Sequence, residues 1–257
     1  MGPWTGARDA ALAMKPLADH VAEARRLLEM AGRDGTLLRA LGGAAVHIRC
    51  PSAQQPPLAR TLKDLDFAST SKQREGIIAL FREAGYQEDA EFNALHGKTR
   101  LFFWDADNAR QADLFLDRVS MCHSLELADR LDEDPETLSV SDLLLLKLQV
   151  FETNERDYKD ALALLLDHAD GGIDLDYIAH LLARDWGWWR TATMVIERLD
   201  RYARELQDFD RANDIHYRIR DLLGAIDAQP KSRRWKMRAR IGERARWYDL
   251  PEETLPG

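Results

Sequence analysis

Residues 62–68, with the sequence LKDLDFA, decide what the first half of this 257-residue chain can be. Their alternation is typical of a β-strand, with Leu65 and Phe67 on one face and Asp64 and Asp66 on the other. Two carboxylates on the same face of a strand are well suited to holding a divalent cation. On its own, however, an Asp-x-Asp pattern at a strand edge is more often solvated than catalytic.

Apolar periodicity predicts further elements on both sides of this strand. Amphipathic helices are predicted over residues 16–31 and 72–84. Strands are predicted over residues 101–104 and 111–116, separated by a turn-rich segment. Another strand is predicted to begin at residues 46–48. Strands and helices therefore mix in this half of the chain.

The pattern changes beyond residues 129–136, an acidic stretch that we interpret as a linker. Ser139 followed by Asp142 resembles a capping box, the start of a helix. Helices are predicted over residues 143–151, 157–168, 177–183, 188–206 and 213–226. The expected fold class is therefore α+β, with a small mixed β-sheet core flanked by helices over residues 1–135. A helical domain is expected over residues 136–257.

Two other features could complete a site around the aspartates. Asp113 lies in an apolar strand, where an unpaired carboxylate is costly to bury. The pair Gly42-Gly43 would let the backbone approach a phosphate closely, although such a pair is usually only a turn. Nucleotidyl transfer needs a divalent metal held by carboxylates against a triphosphate. These residues could supply that chemistry.

The order Gly42-Gly43, Asp64-Leu65-Asp66 and Asp113 resembles the nucleotidyltransferase fold that DNA polymerase beta shares with the aminoglycoside nucleotidyltransferases. The resemblance is closer to the abortive-infection and toxin-type branch of that family. It covers about half of the chain, from residue 37 to residue 166.

Three further matches carry the resemblance to that branch. An arginine and a hydroxyl residue precede the carboxylate pair, as Arg60 and Thr61 do here. A lysine then lies in an apolar helix, matched by Lys147. A carboxylate-bearing helix closes the pattern, matched by residues 156–162.

The resemblance implies an enzyme that moves a nucleoside monophosphate from a nucleoside triphosphate to an acceptor hydroxyl. In the wider family the acceptor is an RNA end, such as that of a tRNA, a protein side chain or a small molecule. The resemblance implies that Mg²⁺ or Mn²⁺ is bound by the catalytic residues Asp64, Asp66 and Asp113, the last acting as a further ligand or as the base. It implies nucleotide contacts from Gly42, Gly43, Arg60, Lys63 and Lys147.

Lys147 also has a structural interpretation. Four leucines precede it, which favours partial burial and hence a partner for its charge. That partner could be a phosphate of the nucleotide, or it could be Asp160.

A basic segment, residues 231–247, stands out in a chain with a net charge of −8. Together with Trp235 and Trp247, its cations would suit RNA binding by phosphate neutralisation and stacking. We favour a terminal helix whose arginines face an acidic surface. The residues that would dock this helix are Met237, Ile241, Ala245 and Tyr248.

Composition limits the remaining alternatives. The net charge argues against general coating of nucleic acid. Cys50 and Cys122 are the only cysteines and lack paired-ligand spacing, so a cytoplasmic protein without a disulfide framework or zinc module is expected. No apolar run is long enough to cross a membrane, and residues 1–15 lack the features of a signal peptide. The sequence indicates no oligomeric state.

Two other functions are compatible with the same motifs. One is a nucleotidyltransferase-like scaffold that binds or regulates without catalysing. Retention of all three carboxylates speaks against it, since an inactive site has no reason to keep buried charge. The other is an RNA-binding module that acts through residues 231–247 alone.

Overall fold

The computed structural model describes residues 15–250, and a five-stranded mixed sheet forms the centre of its first half. The strands are β1 (Arg39–Leu41), β2 (Leu65–Ser69), β3 (Gln87–Glu88), β4 (Arg100–Asp105) and β5 (Arg110–Leu116). Their order across the sheet is β1-β2-β5-β4-β3. Strands β2 and β5 are parallel, and the other neighbours are antiparallel. A separate hairpin joins β6 (Arg118–Ser120) to β7 (Ser124–Glu126).

Helices surround this sheet and make up the second half of the chain. The helices are α1 (His20–Arg33), α2 (Gly42–Arg49), α3 (Arg74–Glu83), α4 (Ala90–His96), α5 (Val140–Leu148), α6 (Glu155–Asp167), α7 (Leu175–Leu182), α8 (Trp186–Glu205), α9 (Ala212–Ala228) and α10 (Arg233–Ile241). The predicted α+β class is confirmed. Within residues 15–250, no helix combines the length and apolar character that crossing a membrane requires. Most of the segment considered as a signal peptide, residues 1–14, lies outside the described residues.

The two faces of the sheet differ as the alternation in β2 predicts. Leu65 and Phe67 are fully buried on the inner face. There the ring of Phe81, from α3, lies 5.9 Å from Phe67 and 4.4 Å from Phe103 of β4, measured between centroids. Such aromatic packing contributes strongly to a core. The opposite face, which carries Asp66, is the one on which the site can form.

One hydrophobic core runs through the sheet and the later helices. The acidic segment 129–136 leads directly into the sheet, because the Ala40 amide donates to the Glu136 carbonyl at 2.9 Å. The Leu138 amide in turn donates to the Ala40 carbonyl at 2.9 Å. The segment is therefore anchored on β1 rather than free between the two halves. The domain boundary at residue 135 stays a prediction.

The strand predicted at residues 46–48 is wrong, because these residues belong to α2. Gly42 has a φ of +64°, so the chain turns sharply after β1 and enters a helix at once. Strands β1, β3, β6 and β7 and helix α4 have no predicted counterpart, and the remaining differences are boundaries. Helix α1 continues through Gly32 to Arg33, and α5 ends at Leu148, although its Ser139 cap forms as predicted.

A buried ion pair closes the turn between β4 and β5. Arg110 is 1% exposed and Asp105 is fully buried, and the Arg110 Nη2 atom lies 2.7 Å from Asp105 Oδ2. The Asp105 side chain also accepts hydrogen bonds from the backbone of Asp107 and Asn108. Arg110 donates a further bond to the Leu17 carbonyl at 2.8 Å, which ties the start of the described chain to the sheet.

We predict that Asp105→Ala lowers the free energy of unfolding by roughly 3–5 kcal/mol, because it leaves the Arg110 guanidinium buried without its carboxylate. Urea unfolding followed by circular dichroism measures the loss. Asp107→Ala is the control in the same turn, since the Asp107 side chain is half exposed and its Lys15 partner is 3.9 Å away. It should cost no more than about 1 kcal/mol. Equal losses for the two variants would contradict the importance of the buried pair.

Candidate functional site

Three carboxylates come together on the outer face of the sheet. Asp66 of β2 and Asp113 of β5 are direct partners in the parallel register. Asp64 lies just before β2 and is exposed, whereas Asp66 is partly buried and Asp113 is 8% exposed. The structure therefore pairs Asp66 with Asp113 across two strands and places Asp64 just before the first of them.

Asp66 has an unusual electrostatic position. Burial raises its pKa well above the ordinary value, and the negative charges of Asp64 and Asp113 raise it further. The cations of Lys147 and Arg100 oppose this rise without overcoming it. Among the described residues, no side chain forms an ion pair with Asp66. Its negative charge is thus crowded by others of the same sign, which is a favourable place for a cation.

Asp113 differs because the chain itself supplies a cation. The Nε atom of Arg100 lies 2.7 Å from Asp113 Oδ1. The same guanidinium lies 5.1 Å from the centroid of the Phe115 ring and 5.7 Å from that of Phe92. Burial still raises the pKa of Asp113, and the Arg100 hydrogen bond offsets only part of that effect. Arg100 therefore holds this carboxylate in place beside the aromatic rings.

No pattern in the sequence singles out Arg100. Its position follows from strand pairing: Arg100 lies opposite Phe115, and Phe102 lies opposite Asp113. Arg100 and Asp113 are therefore diagonal neighbours on one face of the sheet, within reach of a long side chain. The sequence shows only a cation at the start of a strand. Its nearness to Asp113 cannot be predicted until the register between β4 and β5 is known.

Each glycine of the Gly42-Gly43 pair makes room for one side chain of the site. A Cβ atom on Gly42 would lie 2.1 Å from Asp66 Oδ2. A Cβ atom on Gly43 would lie 2.3 Å from Arg60 Nη2. The sequence predicts that the backbone of this pair approaches a phosphate, and that contact stays a prediction. The geometry adds a second reason for it, the close approach of Asp66 and Arg60 to the backbone.

Asp160 of α6 connects two cations of the site. Arg60 donates to both of its carboxylate oxygens at 2.7 Å, in a bidentate pair. Lys147 Nζ lies 2.7 Å from the Asp160 carboxylate and 3.0 Å from that of Asp157. Burial alone would raise the pKa of Asp160, but the charges of Lys147 and Arg60 hold it below its usual range. Asp160 is therefore ionised although only 1% of it is exposed.

These contacts bear on the predicted nucleotide-binding cations. Burial alone would lower the pKa of Lys147, but Asp160 and Asp157 raise it, so the lysine is charged. Asp160, the structural partner predicted for Lys147, does form an ion pair with it, and Asp157 forms a second one. Contacts from Lys147 and Arg60 to a nucleotide stay predictions, as does the contact from Lys63, which is exposed.

The carboxylates fit a divalent metal in their chemistry, because Mg²⁺ and Mn²⁺ prefer oxygen ligands. The raised pKa of Asp66 and the negative charges of its two neighbours, Asp64 and Asp113, agree with the binding of a cation at this place. As the side chains are oriented, no three His, Cys, Asp or Glu residues within 15–250 form a cluster close enough to hold one. Asp113 is turned towards Arg100 instead.

The favoured docking of the basic segment is wrong for Met237, Ile241 and Ala245, whereas Tyr248 does pack, its ring stacked on Phe151 at 4.1 Å between centroids. Met237 is 68% exposed and Ile241 is 48% exposed, so neither packs α10 onto the protein. Trp235 does so instead, with its ring centroid 5.1 Å from that of Trp189 on α8. Arg238 contributes through its guanidinium, 4.7 Å from the Trp186 ring. The helix is held by an indole and an arginine, and its aliphatic side chains face outward.

Comparison with known proteins gives structural likenesses alone. No protein-family model matches the chain, and no curated protein matches its sequence. Similar solved structures include the solution structure of the antibiotic-resistance factor ANT(2'')-Ia, at 11% identity and a TM-score of 0.40, covering 57% of this chain and 82% of the other. Another is the lincosamide antibiotic adenylyltransferase LnuA with lincomycin bound, at 14% identity and a TM-score of 0.38, covering 55% and 92%. Likeness at this level supports no inference about reaction or ligand, so the proposals below rest on the residues.

We predict that Gly42→Ala displaces Asp66 and destabilises the protein more than strain alone can explain. Gly35→Ala is the matched control, because Gly35 has a φ of +67° and open space around its Cα atom. Both variants carry the cost of a side chain at positive φ, which is on the order of 1 kcal/mol. Only Gly42→Ala adds the clash with Asp66. Thermal unfolding compares the two, and equal losses would show that Asp66 does not need the glycine.

We also predict that Asp160→Asn lowers the free energy of unfolding by about 3 kcal/mol or more, because Arg60 and Lys147 lose their shared counter-charge. Asp157→Asn removes only one contact to Lys147 and should cost about half as much or less. Denaturant titration of both variants measures the difference. A larger loss for Asp157→Asn would overturn the assignment of Asp160 as the shared partner.

The lowered pKa of Asp160 fixes the sign of the pH dependence of this effect. In the unfolded chain the carboxyl takes up a proton near pH 3.9, whereas the folded protein keeps it ionised to lower pH. The contribution of the Asp160 carboxylate to the free energy of unfolding is therefore complete above the unfolded pKa. It is lost as the pH falls through the lower pKa of the folded protein. The stability gap between wild type and Asp160→Asn should therefore narrow in acid. A gap that widens below pH 4 would contradict this prediction.

Proposed function

We propose that the chain is a metal-dependent nucleotidyltransferase that moves a nucleoside monophosphate from a nucleoside triphosphate to an acceptor hydroxyl. The observation that carries the proposal is the crowding of Asp64, Asp66 and Asp113 on the open face of the sheet. Asp66 has no cation bonded to it among residues 15–250, and its negative neighbours make its ionisation costly, which a bound divalent cation would offset. The sequence motifs and the spatial arrangement of the three aspartates point to the same chemistry.

Asp64, Asp66 and Asp113 would hold Mg²⁺ or Mn²⁺ in this proposal. When bound, the ion neutralises charge on the triphosphate and helps to align the attacking and leaving oxygens. Asp66 would bind the ion without giving up an ion pair, since no cation among residues 15–250 is bonded to it. Asp113 has two available roles, as a further ligand or as the base that accepts the hydroxyl proton.

The triphosphate would be bound next to these carboxylates. The first residues of α2 are Gly42 and Gly43, and no side chain caps this end of the helix. Free backbone amides at a helix start favour phosphate. Arg60, Lys147 and Lys63 are the cations we propose for the phosphate oxygens. The first two are already ordered by Asp160, so binding costs little of their conformational entropy.

The reaction would be a single displacement at the α-phosphorus. The acceptor oxygen forms a bond to that phosphorus, the bond to the bridging oxygen breaks, and pyrophosphate leaves. The hydroxyl proton passes to the Asp113 carboxylate when this residue acts as the base. Arg100, 2.7 Å away, orients that carboxylate. The acceptor is an RNA end such as that of a tRNA, a protein side chain or a small molecule. A cytoplasmic location and a toxin-like role belong to the same proposal, from the cysteine content and the family resemblance.

We predict that the double variant Asp64→Asn and Asp66→Asn loses transfer of label from α-³²P-labelled triphosphates by at least about a hundredfold, since it removes two metal ligands. Each labelled triphosphate is incubated with Mg²⁺ or Mn²⁺ and a whole-cell extract of RNA and protein. The labelled species then identifies donor and acceptor. The control is Asp170→Asn with Asp176→Asn, two exposed carboxylates away from the site. Undiminished transfer by the first double variant would sink the proposal.

Calorimetry separates this proposal from a non-catalytic scaffold. Wild type should bind at least one triphosphate in the presence of Mg²⁺, and the Asp64, Asp66 double variant should bind it more weakly. Absence of binding at millimolar triphosphate would favour the scaffold instead.

A further inference from the structure

A cavity of about 870 Å³ lies between α10, the segment after it and the start of α8. Four indole side chains contribute to its wall: Trp186, Trp188, Trp235 and Trp247. The chain has seven tryptophans in all, so more than half of them gather at this one place. Trp186 and Trp188 are buried and build the wall, whereas Trp235 and Trp247 are half-buried and offer rings on which a ligand could stack.

The same wall carries positive charge that residues 15–250 leave unmatched. Arg184, Arg234 and Arg246 line the cavity and are exposed. Among residues 15–250, no carboxylate lies within 4.0 Å of their guanidinium groups. Further exposed cations extend this surface along the helix: Arg233, Lys236, Arg240 and Arg244. In a chain with a net charge of −8, this concentration of cations favours a polyanionic partner.

The wall is built as a fixed structure. Arg238 donates to the Gly242 carbonyl at 2.7 Å and to the Ala245 carbonyl at 2.8 Å, which holds the turn after α10. Trp188 is 4% exposed, and its Nε1 atom has no hydrogen-bond acceptor among the described residues. Trp188 is therefore a buried part of the wall and not a contact for a ligand. Two carboxylates also line the wall, and one of them, Asp185, is occupied in capping α8.

The cavity is connected to the carboxylate site through a shared residue. Asp249 lines both the cavity and a second cleft of about 660 Å³. Arg100 and Phe115 line that second cleft. The cleft therefore reaches the side chain that holds Asp113. A chain-like ligand seated in the cavity could extend along this path towards the three aspartates.

We infer that this cavity binds a single-stranded polynucleotide, with phosphates on the cavity arginines and bases against the two half-buried indoles, Trp235 and Trp247. The strand would supply the acceptor hydroxyl, and this last clause rests on the proposed nucleotidyl transfer. An anionic membrane would require a protruding surface rather than a cavity. An acidic peptide would match the charge but would leave the indoles without a flat partner. Stacking and phosphate contacts together are what single-stranded nucleic acids use.

The test uses the full chain and a fluorescein-labelled RNA octamer, with anisotropy as the binding signal. Charge reversal at two cavity arginines, Arg234→Glu with Arg246→Glu, should weaken binding by about tenfold or more and should flatten its salt dependence. The matched control is Arg201→Glu with Arg220→Glu. It makes the same change in net charge on exposed arginines of α8 and α9 that do not line the cavity. It should bind as wild type does.

Intrinsic fluorescence gives a second signal, because the cavity holds most of the tryptophans. Bases stacked on the indoles should quench this fluorescence, and poly-aspartate of equal charge should not. A DNA octamer tells whether the 2′-hydroxyl matters. Any one of three results would overturn the inference. RNA binding could be unchanged in the Arg234→Glu, Arg246→Glu variant, or the control variant could lose as much binding. Poly-aspartate could also bind as tightly as RNA.

Failure of this inference and failure of the proposed function are distinguishable. Label transfer to an acceptor that is not a nucleic acid, together with absent octamer binding, would reject the polynucleotide site alone. Octamer binding that depends on the cavity arginines, in a protein that transfers no label from any triphosphate, would reject the enzyme and keep the binding site.

Discussion

The buried carboxylate of Asp160 is the interaction on which the rest of the site depends. It joins Arg60, which precedes β2, to Lys147 on α5, and it comes itself from α6. A buried charge is tolerated only when it is paired, so these three segments cannot separate without a large cost. The later helices are therefore part of the site, because they decide where Arg60 lies. Arg60 in turn lies against Gly43, at the start of the helix that begins beside Asp66.

The Gly42-Gly43 pair shows how a short motif can serve packing and chemistry together. Each glycine admits one charged side chain of opposite sign, Asp66 at the first and Arg60 at the second. The backbone turn thus sets an anion and a cation on either side of the same helix start. A metal and a phosphate need the same separation of charge. In the proposed function, this separation of charge would be in place before any ligand arrives.

Much of this could be predicted from the sequence, because local patterns carry it. The alternation in β2 placed Asp64 and Asp66 away from the core, and an aspartate in an apolar strand marked Asp113. The parallel pairing that sets Asp113 beside Asp66, and the diagonal that joins it to Arg100, depend on register between distant segments. The strand expected at residues 46–48 was wrong because a short apolar run fits a helix equally well. The docking of α10 was wrong because it assumed that aliphatic residues face inward, whereas an indole and a guanidinium hold this helix.

The parallel pairing of β2 with β5 has a consequence for how the protein acquires its site. Parallel neighbours cannot be joined by a tight hairpin, and the chain between them contains α3, β3, α4 and β4. Pairing across such a separation carries a loop-closure cost and is slow compared with local structure. A nascent chain that has formed only its first strands holds Asp64 and Asp66 without Asp113. The proposed chemistry therefore requires the finished chain, in which β5 has paired with β2.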